Sequence, residues 1–215
     1  MNKFTQGITI AAAVGISGFA QAAFIDVTAN AGGALVPVAT DNSYANPDGS
    51  GTFLAGQLYD GTDSVLESYS VVSTSASPFR LTFTYLGTEA SFTNSFLYQD
   101  SEVFNTGSSA LGATFSTVYS AGLGLIDFGF SSISGGSNVG SVVNGPANVV
   151  PVYNFNVFEA GVDYLVLSLD DNNQIDDNHD DMLVMVKASS VPEPGTLALL
   201  GLGLAGLALR RTAKK

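Results

Sequence analysis

The chain has 215 residues, a formal net charge of −12 and no cysteine, so disulfides and thiol nucleophiles are excluded. All but one of its 19 acidic residues lie between Ala23 and Ser190, where the only Lys or Arg residues are Arg80 and Lys187. A nucleic acid is therefore not expected as a partner, because phosphate binding needs clustered cations.

The N-terminal residues Met1–Ala22 have the order of a secretory signal peptide. Lys3 supplies an early positive charge, Ile8–Ala20 is apolar, and Ala20-Gln21-Ala22 is a small-x-small cleavage site. We expect the mature chain to begin at Ala23. A first transmembrane helix fits less well, because glycine and serine dilute an apolar segment that is already short.

The pattern between residues 23 and 190 is that of short strands separated by Gly, Ser, Asn and Asp. Phe79–Tyr85 alternates apolar and polar residues, which predicts one buried face made of Phe79, Leu81, Phe83 and Tyr85. Further strands are predicted at Phe53–Tyr59, Val65–Ser73, Ser91–Tyr98, Ala113–Tyr119, Leu125–Phe130, Val149–Phe158, Tyr164–Leu169 and Met182–Ala188.

No stretch of this region has a helical period over ten or more positions. We therefore predict a single all-β domain, 23–190, built as an antiparallel β-sandwich of jelly-roll type. The segment Ser131–Asn148 is rich in Gly, Ser and Asn, which indicates either a long loop or two weak edge strands.

An acidic segment, Asp170–Asp181, lies between the last two predicted strands. It holds six aspartates in twelve residues, and these repel one another unless a positive charge lies among them. Ca²⁺ prefers six to eight oxygen ligands of this kind. One hypothesis is a calcium site with Asp170, Asp176, Asp180 and Asp181 as ligands; the alternative is a solvated hairpin whose charge opposes aggregation.

The C-terminal residues Val191–Lys215 have three parts in a fixed order. Pro192-Glu193-Pro194 interrupts regular structure, Thr196–Leu209 is uncharged and apolar, and the chain ends in the basic residues Arg210, Arg211, Lys214 and Lys215. As a helix the apolar part is about 21 Å long, against a hydrocarbon core of about 30 Å. We predict a transmembrane helix over 196–209, with the basic residues snorkelling and stopping transfer at the cytoplasmic side.

This tail resembles the PEP-CTERM sorting signal of Gram-negative bacteria. The resemblance implies an exosortase as partner, acting near Pro192, Glu193 and Pro194, a transient stay in the inner membrane, and a final place at the cell surface or in an exopolysaccharide matrix. The acidic segment is also similar to an acidic hairpin found near such signals, and this similarity implies calcium binding at Asp176, Asn178, Asp180 and Asp181.

Three functions remain open from the sequence. The first is a non-enzymatic surface or matrix protein, stabilised by calcium. The second is a carbohydrate-binding module that retains exopolysaccharide, with Tyr44, Tyr59, Tyr98 and Tyr119 replacing the missing Trp platform. The third and weakest is a polysaccharide hydrolase or lyase, because two carboxylates would suffice but no catalytic motif is present and the only histidine, His179, lies in the acidic segment.

Overall fold

The computed structural model describes residues 24–37, 64–88, 92–134, 140–146, 154–161, 164–171 and 181–191. Several predictions lie outside these ranges, among them the signal peptide Met1–Ala22, the strand Phe53–Tyr59 and, in the C-terminal tail, Pro192-Glu193-Pro194, Thr196–Leu209, Arg210 and Arg211. Within these ranges the chain forms strands and turns and no helix. The described residues therefore contain no helix that could span a membrane. The all-β class is confirmed.

Most of the predicted strands are present, with shifted ends. The strands are β1 Ile25–Pro37, β2 Ser64–Ser73, β3 Phe79–Gly87, β4 Thr93–Tyr98, β5 Ser101–Asn105, β6 Thr114–Tyr119, β7 Gly124–Leu125, β8 Phe128–Ser134, β9 Gly140–Val143, β10 Asn154–Gly161, β11 Tyr164–Asp170 and β12 Met182–Ser190.

The strands form two antiparallel sheets. The larger sheet has the order β1-β2-β10-β11-β12-β3-β6, with β7 paired to β2, and the smaller has the order β5-β4-β8-β9. In the larger sheet β11 pairs with β12 from Leu169 opposite Met182 to Tyr164 opposite Lys187. The ends of β11 and β12, where the acidic segment begins and ends, therefore lie near the middle of the sheet's width.

Aromatic rings connect the two sheets. Phe83 of the larger sheet lies 5.1 Å from Phe96 and 5.3 Å from Tyr98 of the smaller sheet, measured between ring centroids. Phe155 of the larger sheet lies 5.4 Å from Phe128 of the smaller one. Rings at such distances attract one another and exclude water. This shared aromatic layer is the core, and the predicted β-sandwich of jelly-roll type stays a prediction.

The predicted buried face of β3 is confirmed. Phe79, Leu81 and Phe83 are fully buried and Tyr85 is 2% exposed, and all four belong to the core cluster. Alternating apolar and polar residues identified this face correctly because successive side chains of a strand point to opposite sides.

The prediction of one strand over Leu125–Phe130 is wrong. Leu125 ends β7, which pairs with β2 of the larger sheet, whereas Phe128 begins β8 of the smaller sheet. The chain passes from one sheet to the other at Ile126, which is buried and donates its backbone N–H to the Val71 carbonyl at 3.2 Å. The apolar residues of this segment do not indicate from sequence alone that the chain passes from one sheet to the other.

Sequence reasoning missed two strands, β1 and β5, and left one region open. β1 contains Ala-Asn-Ala-Gly-Gly, which has low strand propensity, and its pairing with β2 shifts register between Ala29 and Ala34, around Gly32 with φ of +89°. β5 and β9 are short edge strands. In the Gly/Ser/Asn-rich region 131–148, the end of β8 and the edge strand β9 occupy the described part, as the two-strand alternative had it.

A buried asparagine ties the smaller sheet to the larger one. Asn144 directly follows β9 and is 9% exposed. Its Oδ1 accepts the backbone N–H of Val71 at 2.8 Å, and its Nδ2 donates to the carbonyls of Val71 at 2.6 Å and Ile126 at 2.8 Å. The side-chain amide therefore pairs with β2 as a neighbouring strand would.

We expect Asn144→Ala to lower the free energy of unfolding by about 1–3 kcal/mol, because it leaves the buried Val71 N–H without a partner and removes one of the two donors to the carbonyls of Val71 and Ile126. Urea denaturation of the purified full-length chain measures this. Ser141→Ala, at an exposed position of the adjacent strand, is the control and should change stability by less than about 0.5 kcal/mol. Equal effects of the two substitutions would contradict the role given to Asn144.

A second prediction concerns alkaline pH. Burial raises the pKa of Tyr85 to about 12. An unfolded tyrosine ionises near pH 10, so the unfolded state releases its proton first and stability falls as the pH rises from about 10 to 12. Thermal melts across this range should show a smaller loss for Tyr85→Phe than for the wild type. An identical loss would show that this hydroxyl contributes nothing.

Candidate functional site

The base of the acidic segment is buried rather than solvated. Asp170 is 0% exposed, Asp171 1% and Asp181 7%, at the adjoining ends of β11 and β12. Of the four predicted calcium ligands, Asp170 and Asp181 therefore lie at this base. Asp176 and Asp180 lie outside the described residues, and the ligand set as a whole stays a prediction.

Asp170 faces away from the aromatic core. The alternate residues Leu165, Leu167 and Leu169 belong to the core cluster, so Val166, Ser168 and Asp170 share the opposite face of the larger sheet. That face is also buried at these positions. Asn156 lies opposite Ser168 on the neighbouring strand, and both polar atoms of its buried amide lack a hydrogen-bond partner.

Asp171 and Asp181 are connected to each other and to the smaller sheet. The backbone N–H of Asp171 donates to Oδ2 of Asp181 at 2.7 Å. Nδ2 of Asn94, at the start of β4, donates to Oδ2 of Asp171 at 2.7 Å and to the backbone carbonyl of Asp181 at 3.2 Å. The hydroxyl of Thr88, which follows β3, donates to the same carbonyl. Four strand ends, those of β3, β4, β11 and β12, therefore meet at the base of the acidic segment.

Two oxygen atoms beside these contacts have no hydrogen-bond partner. They are Oδ1 of Asn94 and Oγ of Ser132, whose residues are 0% and 1% exposed. Asn94 and Ser132 lie directly opposite each other on β4 and β8. Buried polar atoms without partners are uncommon and call for a physical explanation, such as an ion or a water molecule.

Sequence reasoning did not identify Asn94, Ser132 or Asp171 as site residues. Asp171 was visible as part of the acidic run, but nothing in that run distinguishes it from its neighbours. Asn94 and Ser132 lie 77 and 39 positions from Asp171 in the chain, and only strand pairing brings them near it. In the described ranges, no three acidic or histidine side chains are grouped closely enough to hold a metal ion by themselves.

The tyrosines proposed as a sugar platform do not have that role in the described part of the chain. Tyr98 is 6% exposed and Tyr119 is 5% exposed, and both belong to the core cluster. Burial, together with the nearby Asp127 carboxylate, raises the pKa of both hydroxyls. Tyr44 and Tyr59 lie outside the described residues.

One pocket lies on the outer side of the smaller sheet. It encloses about 120 Å³, is lined by Asp100, Asp127, Ser131 and Ser141 among others, and includes Gly129. A Cβ on Gly129 would lie 2.7 Å from the Val142 carbonyl oxygen, so glycine is needed there for close strand contact. The volume of this pocket is well below the roughly 300–1,000 Å³ typical of ligand sites.

The described part of the chain is thus all-β, with three buried aspartates at the ends of β11 and β12, and β12 leads directly into the C-terminal tail. Residues 190–211 match the PEP-CTERM protein-sorting motif, so the chain carries this sorting signal, as its residues indicated. No curated protein and no solved structure matches the chain. The motif implies a protein that is exported through the membrane to the cell surface and processed by an exosortase.

Proposed function

We propose that this chain is a non-enzymatic structural protein of the surface or extracellular matrix of a Gram-negative bacterium. The observation that carries the proposal is the sorting motif at residues 190–211. Export begins with the signal peptide Met1–Ala22, and the span Thr196–Leu209 with Arg210 and Arg211 holds the chain in the inner membrane until the exosortase acts.

The position of the motif relative to the fold supports this proposal. β12 ends at Ser190, and it pairs with β11 on one side and β3 on the other. Processing near Pro192-Glu193-Pro194 therefore removes the tail without removing any residue of β12. The β domain would be released or transferred with its sheets intact.

A structural role fits the described surface better than carbohydrate binding or hydrolysis. Tyr98 and Tyr119 are packed in the core, and the pocket beside Asp100 and Asp127 is small for a saccharide. Retention of exopolysaccharide remains the second candidate, and a polysaccharide-cleaving enzyme the third. Saturable binding of matrix sugars by the purified chain would favour the second over the first.

Calcium stabilisation is the other part of the proposal. The predicted ligands are Asp170, Asp176, Asp180 and Asp181, and the burial of Asp170 and Asp181 supports it, since buried carboxylates require a compensating charge, a proton or several donors. The nearby partnerless oxygen atoms of Asn94 and Ser132 suit a cation that binds oxygen.

Replacing Pro192, Glu193 and Pro194 by alanine should block processing, because the exosortase reads this motif. We expect full-length precursor to accumulate in the inner-membrane fraction, detected by immunoblot of separated membranes. Ser189→Ala, outside the matched residues, should be processed normally. Normal processing of the triple variant would refute the proposed sorting step.

Calcium at a hundredfold excess over its dissociation constant should raise the melting temperature of the full-length chain by about 5–10 °C relative to chelator. The double variant Asp176→Asn/Asp180→Asn removes two of the predicted ligand charges and should lose most of this increase. Asp26→Asn, at an exposed carboxylate of β1, is the matched control. Melting curves that coincide with and without chelator would rule out calcium stabilisation.

A further inference from the structure

At the base of the acidic segment, polar side chains of the two sheets lie in contact. Asn94 and Ser132 belong to the smaller sheet, whereas Asp171 and Asp181 lie at strand ends of the larger sheet. All four residues are less than 10% exposed. Together they are called the inter-sheet oxygen cluster below.

Strand geometry places the two partnerless oxygen atoms on the inner side of the smaller sheet. Phe96 and Phe130, opposite each other in the same strand pair, are in the core. Asn94 and Ser132 lie two positions away on the respective strands, so their side chains share the core-facing side. They therefore point toward the larger sheet and not toward solvent.

The amide of Asn94 is held in one orientation. Its Nδ2 donates to Asp171 Oδ2 and to the Asp181 carbonyl, so both of its N–H groups are used on acceptors. Its Oδ1, which can only accept, is left without a donor. Since Nδ2 is 2.7 Å from Asp171 Oδ2, the partnerless Oδ1 lies within about 5 Å of that carboxylate, given amide dimensions.

No Lys or Arg of the described residues lies near this cluster. Arg80 and Lys187, the only Lys or Arg between residues 23 and 190, are placed by the register toward the other end of β12. Lys187 is six residues from Asp181, which is about 20 Å along a strand. Two buried carboxylates and two partnerless neutral oxygens thus lie together, far from both cationic side chains.

We propose that the inter-sheet oxygen cluster binds Ca²⁺, with Asn94 Oδ1 and Ser132 Oγ as neutral ligands and the carboxylates of Asp171 and Asp181 as charged ligands. Calcium accepts carboxylate, amide and hydroxyl oxygens in irregular geometry and completes its shell with water, whereas zinc favours nitrogen and sulfur. The inference rests on the proposed calcium stabilisation but assigns it to a different ligand set, in which Asp176 and Asp180 have no part. On this assignment Asp176→Asn/Asp180→Asn should keep most of the calcium-induced increase in melting temperature.

Binding at this position would join β4 and β8 of the smaller sheet to β11 and β12 of the larger one. The cation would therefore stabilise the packing of the sheets against each other, in addition to neutralising the acidic segment. Because the ligands come from both sheets, they are brought together only in the folded protein. The unfolded chain should therefore bind calcium more weakly than the folded one.

Ser132→Ala is the most informative test, because Ser132 Oγ has no protein partner to lose. In chelator, the variant should be as stable as the wild-type full-length chain or slightly more stable, since a partnerless buried hydroxyl is removed. In calcium titrated by calorimetry, its dissociation constant should rise by about tenfold or more. Ser131→Ala, the neighbouring residue on the opposite side of β8, should match the wild type in both measurements.

Asn94→Asp tests the second neutral ligand. Unlike Ser132→Ala, this variant should be less stable than the wild type in chelator and should respond more strongly to calcium. It keeps a ligand oxygen and adds a charge, but it removes the Nδ2 donors that hold Asp171 and Asp181. Its melting temperature in chelator should fall below that of the wild type, and the increase on adding calcium should exceed the wild-type increase.

The outcomes separate this inference from the broader proposal. If the wild type binds calcium but Ser132→Ala and Asn94→Asp bind it equally well, while Asp176→Asn/Asp180→Asn does not, the inter-sheet site is refuted and the acidic-segment site stands. If the wild type binds no calcium, both are refuted. If Ser132→Ala changes the melting temperature equally with and without calcium, the cluster holds only water and the inference is likewise overturned.

Discussion

The structure depends on the burial of one aromatic layer between two sheets. The two sheets bury apolar faces against each other, and Phe83, Phe96 and Phe155 are fully buried in this layer. The ring contacts at 5.1–5.7 Å from one sheet to the other fix their separation and alignment. Every polar group discussed above is positioned by this packing.

Asparagine side chains complete the contact between the sheets where the aromatic layer ends. Asn144 pairs with the backbone of β2, and Asn94 binds the carboxylate of Asp171 and the carbonyl of Asp181. The two differ in one respect. The side-chain atoms of Asn144 are fully used, whereas Oδ1 of Asn94 is not. Because an unpaired polar atom is costly in a buried, low-dielectric setting, Asn144 is a structural link between the sheets, whereas Asn94 is a candidate ligand.

The acidic segment and the sorting motif are close in the chain and are both attached to β12. Asp181 precedes the first residue of β12, and the motif begins at its last residue, Ser190. β12 is an interior strand of the larger sheet, held by β11 and β3. The sorting motif therefore begins at the end of a strand that is paired on both sides.

The sequence by itself determined the sorting signal of the protein, the all-β class and the buried face of β3. These are local signals: a motif of fixed order, a missing helical period, and an alternation that strand geometry converts directly into sidedness. Tertiary structure alone decided that the chain changes sheet at Ile126, that Asp171 is buried, and that Asn94 and Ser132 lie beside it. Pairing between strands far apart in the chain sets these outcomes, and no local pattern of residues records which strands will become neighbours.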